Sequence, residues 1–96
     1  MNKSEPSIEK PKIQPPYAII IENDDKHTLD YVIETLRKVF GYDERKCFNF
    51  AMTIHNTGEA NVWSGSLELA ELKRDQIRGA GPDHYAKVPI KFPLTV

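Results

Sequence analysis

The strongest constraint on the fold of this chain is an amphipathic helical pattern that ends at a glycine. Apolar side chains recur at the spacing of one helix face, at Leu29, Val32, Ile33, Leu36, Val39 and Phe40. Gly41 follows directly, where a glycine in the left-handed conformation commonly ends a helix. Because other parts of the chain must cover this apolar face, the elements on either side of the helix determine the architecture.

Two strands and two more helices are predicted around it. The segment 17–21 is short, β-branched and apolar on both faces, which is typical of a strand in the middle of a sheet. A second helix begins after Asp43, a favourable N-cap residue, and the two helices form a hairpin. The alternating run 59–64 predicts a second strand, and Ser66 can cap a third helix over 67–78.

A third strand is predicted close to the last residues. Four apolar residues alternate along this segment and would share one face: Val88, Ile90, Phe92 and Leu94. Pro89 and Pro93 share a phase, so both missing N–H groups point the same way, which fits only an edge strand. The order β-α-α-β-α-β predicts a small α+β domain, with a three-stranded antiparallel sheet packed against three helices.

Length and composition limit the domain count and the partners. A chain of 96 residues supports one small core, so we expect a single domain over 17–96. Residues 1–16 hold four of the seven prolines and few large apolar groups, which predicts a flexible tail. With 13 Lys and Arg against 14 Asp and Glu, the formal charge of -1 gives no general field for nucleic acid or an anionic membrane.

The sequence also predicts a cytoplasmic location. No apolar run approaches the ~20 residues of a transmembrane helix, and residues 1–14 lack the apolar core of a signal peptide. The single cysteine, Cys47, cannot form an internal disulfide, which fits a reducing compartment.

Candidate binding groups stand where the first strand ends. Asn23, Asp24 and Asp25 present one amide oxygen and two carboxylates, which can accept hydrogen bonds from a cation such as an ammonium. Taken alone, the same residues also fit a turn followed by a helix N-cap. His55, at the end of the second helix, offers one donor and one acceptor near neutral pH.

No motif in the sequence favours catalysis or a bound metal. The three histidines, His27, His55 and His84, lack HxxxH or HExxH spacing, and Cys47 has no partner cysteine. Cys47 lies within the apolar pattern of the second helix, where a free cysteine is usually a small buried hydrophobic group. We therefore expect no catalytic residue, no metal site and no cofactor.

In their order along the chain, these motifs resemble one family. The set comprises an aliphatic strand before Asn23-Asp24-Asp25, the helix before Gly41, Ile54-His55 before Gly58, and the E-x-A-E-x-K pattern of 68–73. It resembles ClpS, the adaptor of the bacterial Clp protease, without a gap from about residue 17 to 77. The resemblance implies a binding module that captures protein N-termini bearing a large hydrophobic first residue and delivers them to a Clp ATPase.

The resemblance implies an ammonium site. A protonated α-amine has three donors and needs acceptors and negative charge. Asn23 and Asp24 match the family's ammonium ligands, and His55 matches their partner, acting directly or through water. Two further residues are assigned to the peptide-binding group: Asp25 is expected to orient the loop or cap the next helix, and His27 to contact the ligand backbone or point into solvent.

The resemblance also implies a hydrophobic pocket for the first side chain. It would be lined by Leu29, Val32, Ala51, Ile54 and Val88, whose alternative role is core packing. Burying one Leu or Phe side chain contributes about 1.5–3 kcal/mol, whereas micromolar binding needs about 8 kcal/mol. Pocket and ammonium site must therefore act together.

This sequence departs from the family around the pocket. Lys26-His27-Thr28-Leu29 replaces the usual small hydroxyl residue, proline and methionine, and Ala51 replaces a second common methionine. Leu29 would relieve crowding at the gate and Ala51 would enlarge the floor. We therefore expect Ile or Val to be accepted beside Leu, Phe, Tyr and Trp.

A separate surface is expected to dock on the ATPase. Glu68 and Lys73 match the family's pattern for contact with the N-terminal domain of a Clp ATPase of the ClpA or ClpC type. Residues 1–16 match the position of the family's flexible extension, and the resemblance favours a monomer.

Two other classes of function stay open. One is a ribosome-associated or other scaffolding domain on the same α+β fold, as in the C-terminal domain of a stalk protein. The other is a metal-dependent hydrolase built on Asp24, Asp25 and His55. The acceptor cluster separates the first class from the adaptor, because a scaffold has no use for it.

Overall fold

Within residues 16–96, the part of the chain that the structure describes, the computed structural model has two strands and three helices. The strands are β1 (Tyr17–Glu22) and β2 (Glu59–Gly65); the helices are α1 (Leu29–Phe40), α2 (Glu44–Thr57) and α3 (Leu67–Arg78). The α+β class and the order of elements through α3 are as predicted. The tail predicted for 1–16 lies outside the described residues, apart from Pro16.

Local capping chemistry sets the helix ends. At the start of each helix, a side-chain oxygen of the N-cap residue, Thr28, Asp43 or Ser66, accepts a hydrogen bond from the backbone N–H three residues on. Gly41 and Gly58 end α1 and α2 in the left-handed conformation, with φ of 72° and 98°. None of the described helices is long and apolar enough to cross a membrane.

The core lies where the helices and the sheet meet. Its members are almost wholly buried and include Ile19, Ile21, Leu36, Ala51, Ile54, Val62, Ala70 and Ile77. Each such side chain contributes about 1.5–3 kcal/mol when it leaves water, apart from the smaller alanines. The apolar face of α1 is thus covered as the sequence requires.

The antiparallel register of the sheet brings the end of β1 next to the start of β2. β1 pairs with β2 from Tyr17 opposite Gly65 to Glu22 opposite Glu59, with an irregularity between Ile19 and Ile20. Because Glu22 and Glu59 face each other, the loop after β1 lies beside the turn that joins α2 to β2.

The prediction of a third strand is wrong. In the described residues the sheet is the β1–β2 pair alone, and two isolated bridges stand in place of a third strand: Asp83 with Ile90, and Glu22 with Thr95. The hydrogen-bonding groups of this segment have other partners: Ile90 exchanges two backbone hydrogen bonds with Asp83, and the carbonyl of Phe92 lies 2.9 Å from Nε2 of His27. Leu94 is buried while Val88 and Phe92 are exposed, so the predicted common apolar face does not exist.

Candidate functional site

The candidate site lies where the loop after β1 meets the end of α2. The N–H of Asn23 donates to the carbonyl of Gly58 at 2.8 Å, which ties the start of the loop to the turn after α2. Gly58 donates its own N–H to the carbonyl of Ile54 at 2.9 Å. These bonds bring Asn23 beside the last turn of α2, which carries His55.

Two adjoining cavities open at this junction. The outer one has a volume of about 350 Å³ and is lined by Asn23, Asp25, His27, Leu29, Met52 and His55. The inner one, of about 50 Å³, shares four of these residues and adds Val32, Ala51 and Ile54, which are buried. The cavities therefore combine polar oxygens and an imidazole with an apolar inner wall.

Asp24 holds the loop in shape. Its Oδ1 accepts the backbone N–H groups of Lys26 at 2.8 Å and His27 at 2.9 Å, and its Oδ2 lies 2.5 Å from Nδ1 of the His27 ring. Partial burial by itself raises the pKa of Asp24, but these hydrogen bonds more than offset it, so the pKa of the carboxyl lies below its ordinary value. Asp24 lines neither cavity.

Asp25 is the acidic residue that lines the outer cavity. It has a positive φ of 60°, a conformation that Asp and Asn tolerate better than most residues. Its N–H donates to Oδ1 of Asn23 at 3.1 Å, and its own Oδ1 accepts from Nδ2 of Asn23 at 2.8 Å. Asp25 thus lines the cavity and Asp24 is bonded within the loop, whereas the prediction assigns the ligand contact to Asp24 and the orientation of the loop to Asp25.

The two histidines of the site differ in exposure. His55 is exposed in the last turn of α2 and lines both cavities. The side chain of His27 is only 1% exposed, so it does not point into solvent. Its ring stacks on Tyr31 and meets Phe92 edge-on, with centroid distances of 5.1 and 5.0 Å.

The five predicted pocket residues do not all meet. Leu29, which is 37% exposed, lies on the wall common to both cavities, and Val32, Ala51 and Ile54 form the inner wall. Val88 is 75% exposed and lines neither cavity, since the strand that would have carried it does not form.

Sequence reasoning missed Met52 and Asp83. Met52 lines the outer cavity, and its three-residue spacing from His55 on α2 was a signal that could have found it. Asp83 is fully buried and accepts the N–H of Thr28 at 2.7 Å, the Thr28 hydroxyl at 3.0 Å and the N–H of Tyr85 at 2.9 Å. Asp83 thus fixes the end of the loop at Thr28. No local sequence pattern predicts this contact, because the two residues are 55 positions apart.

The two residues expected to dock on the ATPase differ in their surroundings. Glu68 is exposed in the first turn of α3. Lys73 is half-buried, with its Nζ donating to the carbonyl of Val39 at 3.2 Å and lying 5.5 Å from the Phe40 ring centroid. Lys73 thus also satisfies a carbonyl at the end of α1, where a cation is favourable.

The single cysteine is part of the core. Cys47 is fully buried, and burial raises the pKa of its thiol, which disfavours the thiolate form. Among the side chains of residues 16–96, no group of three or more His, Cys, Asp or Glu is arranged to hold a metal ion.

Comparison with known proteins gives a consistent match. The family model for "ATP-dependent Clp protease adaptor protein ClpS" matches residues 12–96. The ClpS adapter of Hydrogenovibrio crunogenus is 32% identical over 77 residues, covering 78% of this chain and 74% of that protein. The one from Pectobacterium carotovorum subsp. carotovorum is 37% identical over 71 residues, covering 72% and 67%.

A solved structure shares the fold. It is described as "The structure of Agrobacterium tumefaciens ClpS2 bound to L-phenylalaninamide" and superposes with a TM-score of 0.64 at 26% identity. The match covers 83% of this chain and 92% of that one.

Proposed function

This chain belongs to the ClpS family of ATP-dependent Clp protease adaptor proteins, and from that premise we propose that its cavity captures the first residue of proteins with a free α-amine and a bulky hydrophobic side chain. The observation that carries the proposal is one junction where Asn23, Asp25 and His55 adjoin a buried apolar wall. An amphipathic ligand with a charged amine beside an apolar side chain has matching chemistry.

The polar end of the cavity suits an ammonium group. The carboxylate of Asp25 supplies negative charge, the amide oxygen of Asn23 keeps a free lone pair beside its bond to Asp25, and His55 can accept through an imidazole nitrogen. Asp24 acts indirectly: its hydrogen bonds within the loop hold Asn23 and Asp25 in position at the cavity. Binding of this kind needs no nucleophile and no change of covalent bonds.

The apolar end suits the first side chain. Val32, Ala51 and Ile54 are already buried and form a wall that needs little rearrangement, while Leu29 lies at the mouth. Ala51 leaves room that a longer side chain would fill, which favours β-branched Ile and Val beside Leu, Phe, Tyr and Trp. The ClpS2 structure with L-phenylalaninamide supports an aromatic ligand for this family.

The two ends together restrict binding to first residues. An internal Leu has no ammonium, and an acetylated amine would leave the Asp25 carboxylate desolvated without a donor, a penalty of about 1–3 kcal/mol. The adaptor then passes its cargo to the N-terminal domain of a Clp ATPase, of the ClpA or ClpC type, through the exposed start of α3 around Glu68. We propose that it acts as a monomer in the cytoplasm.

Titration of fluorescent peptides tests this function. Peptides that differ only in the first residue, Leu, Phe, Ile, Val or Ala, are prepared with a free or an acetylated amine. We expect micromolar or tighter binding for free Leu and Phe peptides, and at least tenfold weaker binding for Ala and for every acetylated form. Equal affinity for free and acetylated peptides would overturn the proposal.

The same panel tests the width of the pocket. Ile and Val peptides should bind within about tenfold of Leu, equivalent to about 1.4 kcal/mol. A larger difference would contradict the proposed tolerance for β-branched residues and leave the adaptor function standing. Ala51→Met is the matched variant, and it should reduce binding of Ile and Val more than binding of Leu.

A further inference from the structure

The ring of His27 lies between two hydrogen-bond acceptors. Nδ1 is 2.5 Å from Oδ2 of Asp24, and Nε2 is 2.9 Å from the backbone carbonyl of Phe92. A neutral imidazole has one donor and one acceptor nitrogen, so either neutral tautomer would set a lone pair against an oxygen. Only the doubly protonated ring can donate to both partners.

The surroundings of the ring favour a cation there. The ring is sandwiched by Tyr31 and Phe92 and is 1% exposed, so its charge requires a close counter-charge, which Asp24 supplies. Titratable groups that share the surroundings of His27 come from three elements: Asp24 bonds to the ring, Tyr31 of α1 stacks on it, and Asp25 and His55 line the same outer cavity. Burial raises the pKa of the Tyr31 phenol, so this neighbour stays neutral.

We propose that His27 is a positioning residue that, as an imidazolium, fastens the C-terminal segment 83–95 to the loop carrying Asn23 and Asp25 and thereby keeps the cavity in its binding shape. The role in binding rests on the proposed function; the ring's charge and its two contacts do not.

Other attachments hold the two ends of the segment: the Tyr85 hydroxyl donates to Oε1 of Glu34 at 2.6 Å, and Leu94 is buried in the core. Asp83 holds its beginning against Thr28, and the Glu22–Thr95 bridge holds its end. His27 supplies the attachment between them, at Phe92, and it also lines both cavities. When the ring loses a proton, one of its two bonds must be lost, so the segment loosens and the cavity with it.

Nitrogen chemical shifts of the ring test the charge without any peptide. In the full chain labelled with ¹⁵N-histidine at pH 7.0, we expect both ring nitrogens of His27 to carry protons. The exposed His84 provides the internal reference for a solvated ring, and His55→Gln completes the assignment. A His27 ring with one unprotonated nitrogen at this pH would overturn the proposal.

Amide exchange and affinity test the positioning. His27→Gln keeps a polar side chain of similar length but cannot carry the charge, and His84→Gln is the matched control. We expect the N–H groups of Glu22 and Ile90, which bond to Thr95 and Asp83, to exchange at least tenfold faster in His27→Gln and unchanged in the control. Unchanged exchange in His27→Gln would reject the fastening role even if the ring is charged.

The pH dependence separates His27 from other titrating groups. Ionisable groups common to wild type and His27→Gln, the ligand amine among them, cancel in the ratio of the two proteins' affinities for a Leu peptide, so this ratio isolates His27. At pH 6.0 we expect wild type to bind the Leu peptide about tenfold more tightly than His27→Gln does. This difference in affinity should become smaller as the pH rises to 8.5. A ratio independent of pH would contradict the proposal. If wild type binds no peptide at all, the adaptor function is rejected. The nitrogen chemical shifts and the amide exchange rates then decide the role of His27.

Discussion

At the scale of single residues, neighbouring carboxylates have different partners. Asp24 is occupied by two backbone N–H groups and the His27 ring, whereas Asp25 lines the outer cavity. The sequence predicts that acceptors gather here with His55. It does not predict which carboxylate lines the cavity, because that depends on the positive φ of Asp25 and on a histidine whose bonding partner Phe92 is distant in sequence.

Replacing Asp24 should lower the free energy of unfolding at neutral pH and also reduce how much that free energy falls in acid. Asp24→Asn removes the charge that its donors stabilise, so we expect a loss of about 1 kcal/mol at pH 7 by urea unfolding. The pKa of Asp24 is lowered below 3.8 in the folded state, so its contribution is fully present above that value and is lost as the pH falls through the folded-state pKa. The gap between wild type and variant should therefore close in acid, and a gap that widens instead would contradict the assigned partners.

At the scale of elements, the strong predictions rest on local chemistry. The caps at Asp43, Ser66 and Gly41 depend on neighbouring residues and are confirmed. The third strand depends on a partner with free hydrogen-bonding groups, and alternation in the sequence says nothing about that partner. Side chains such as Asp83 hold this segment instead, and the assignment of Val88 to the pocket failed with the strand.

Asp83 should therefore matter more for stability than its loop position suggests. Asp83→Ala leaves the partly buried N–H groups of Thr28 and Tyr85 without their acceptor, and a fully buried unpaired donor costs about 1–3 kcal/mol. We expect a loss of about 2–3 kcal/mol in urea unfolding, with weaker peptide binding because the loop ends at Thr28. Asp75→Ala, an exposed change on α3, is the control, and a loss for Asp83→Ala no larger than the control's would disprove the role.

At the scale of the whole molecule, the candidate cavity and the residue proposed to contact the ATPase lie on separate surfaces. The cavity lies between the β1 loop and α2, and Glu68 lies on α3 outside it. No pattern within one element shows this arrangement, because it depends on the pairing of Glu22 with Glu59 that brings the loop to α2. The family match supplies the ATPase as the partner of the adaptor.

Charge reversal on α3 should separate the two steps. Glu68→Lys is expected to abolish ATP-dependent degradation of a reporter that begins with Leu, while the affinity for the Leu peptide stays within about twofold. Lys73→Glu should also lower the free energy of unfolding, because the hydrogen bond from Lys73 to the Val39 carbonyl is lost. Lys73→Met serves as the comparison, since it removes this bond and retains the packing on Phe40. A drop in peptide affinity for Glu68→Lys would show that the surfaces are not independent.

The measurement that tests the central claim most directly is a cycle of four affinities: a Leu peptide with a free or an acetylated amine, each against wild type and Asp25→Asn. Asn tolerates the positive φ at this position, so the change removes the charge with little strain. If Asp25 binds the ammonium, acetylation should weaken binding to wild type at least tenfold more than binding to Asp25→Asn, a coupling of about 1.4 kcal/mol or more. Equal acetylation penalties in the two proteins would contradict recognition of the α-amine by this carboxylate.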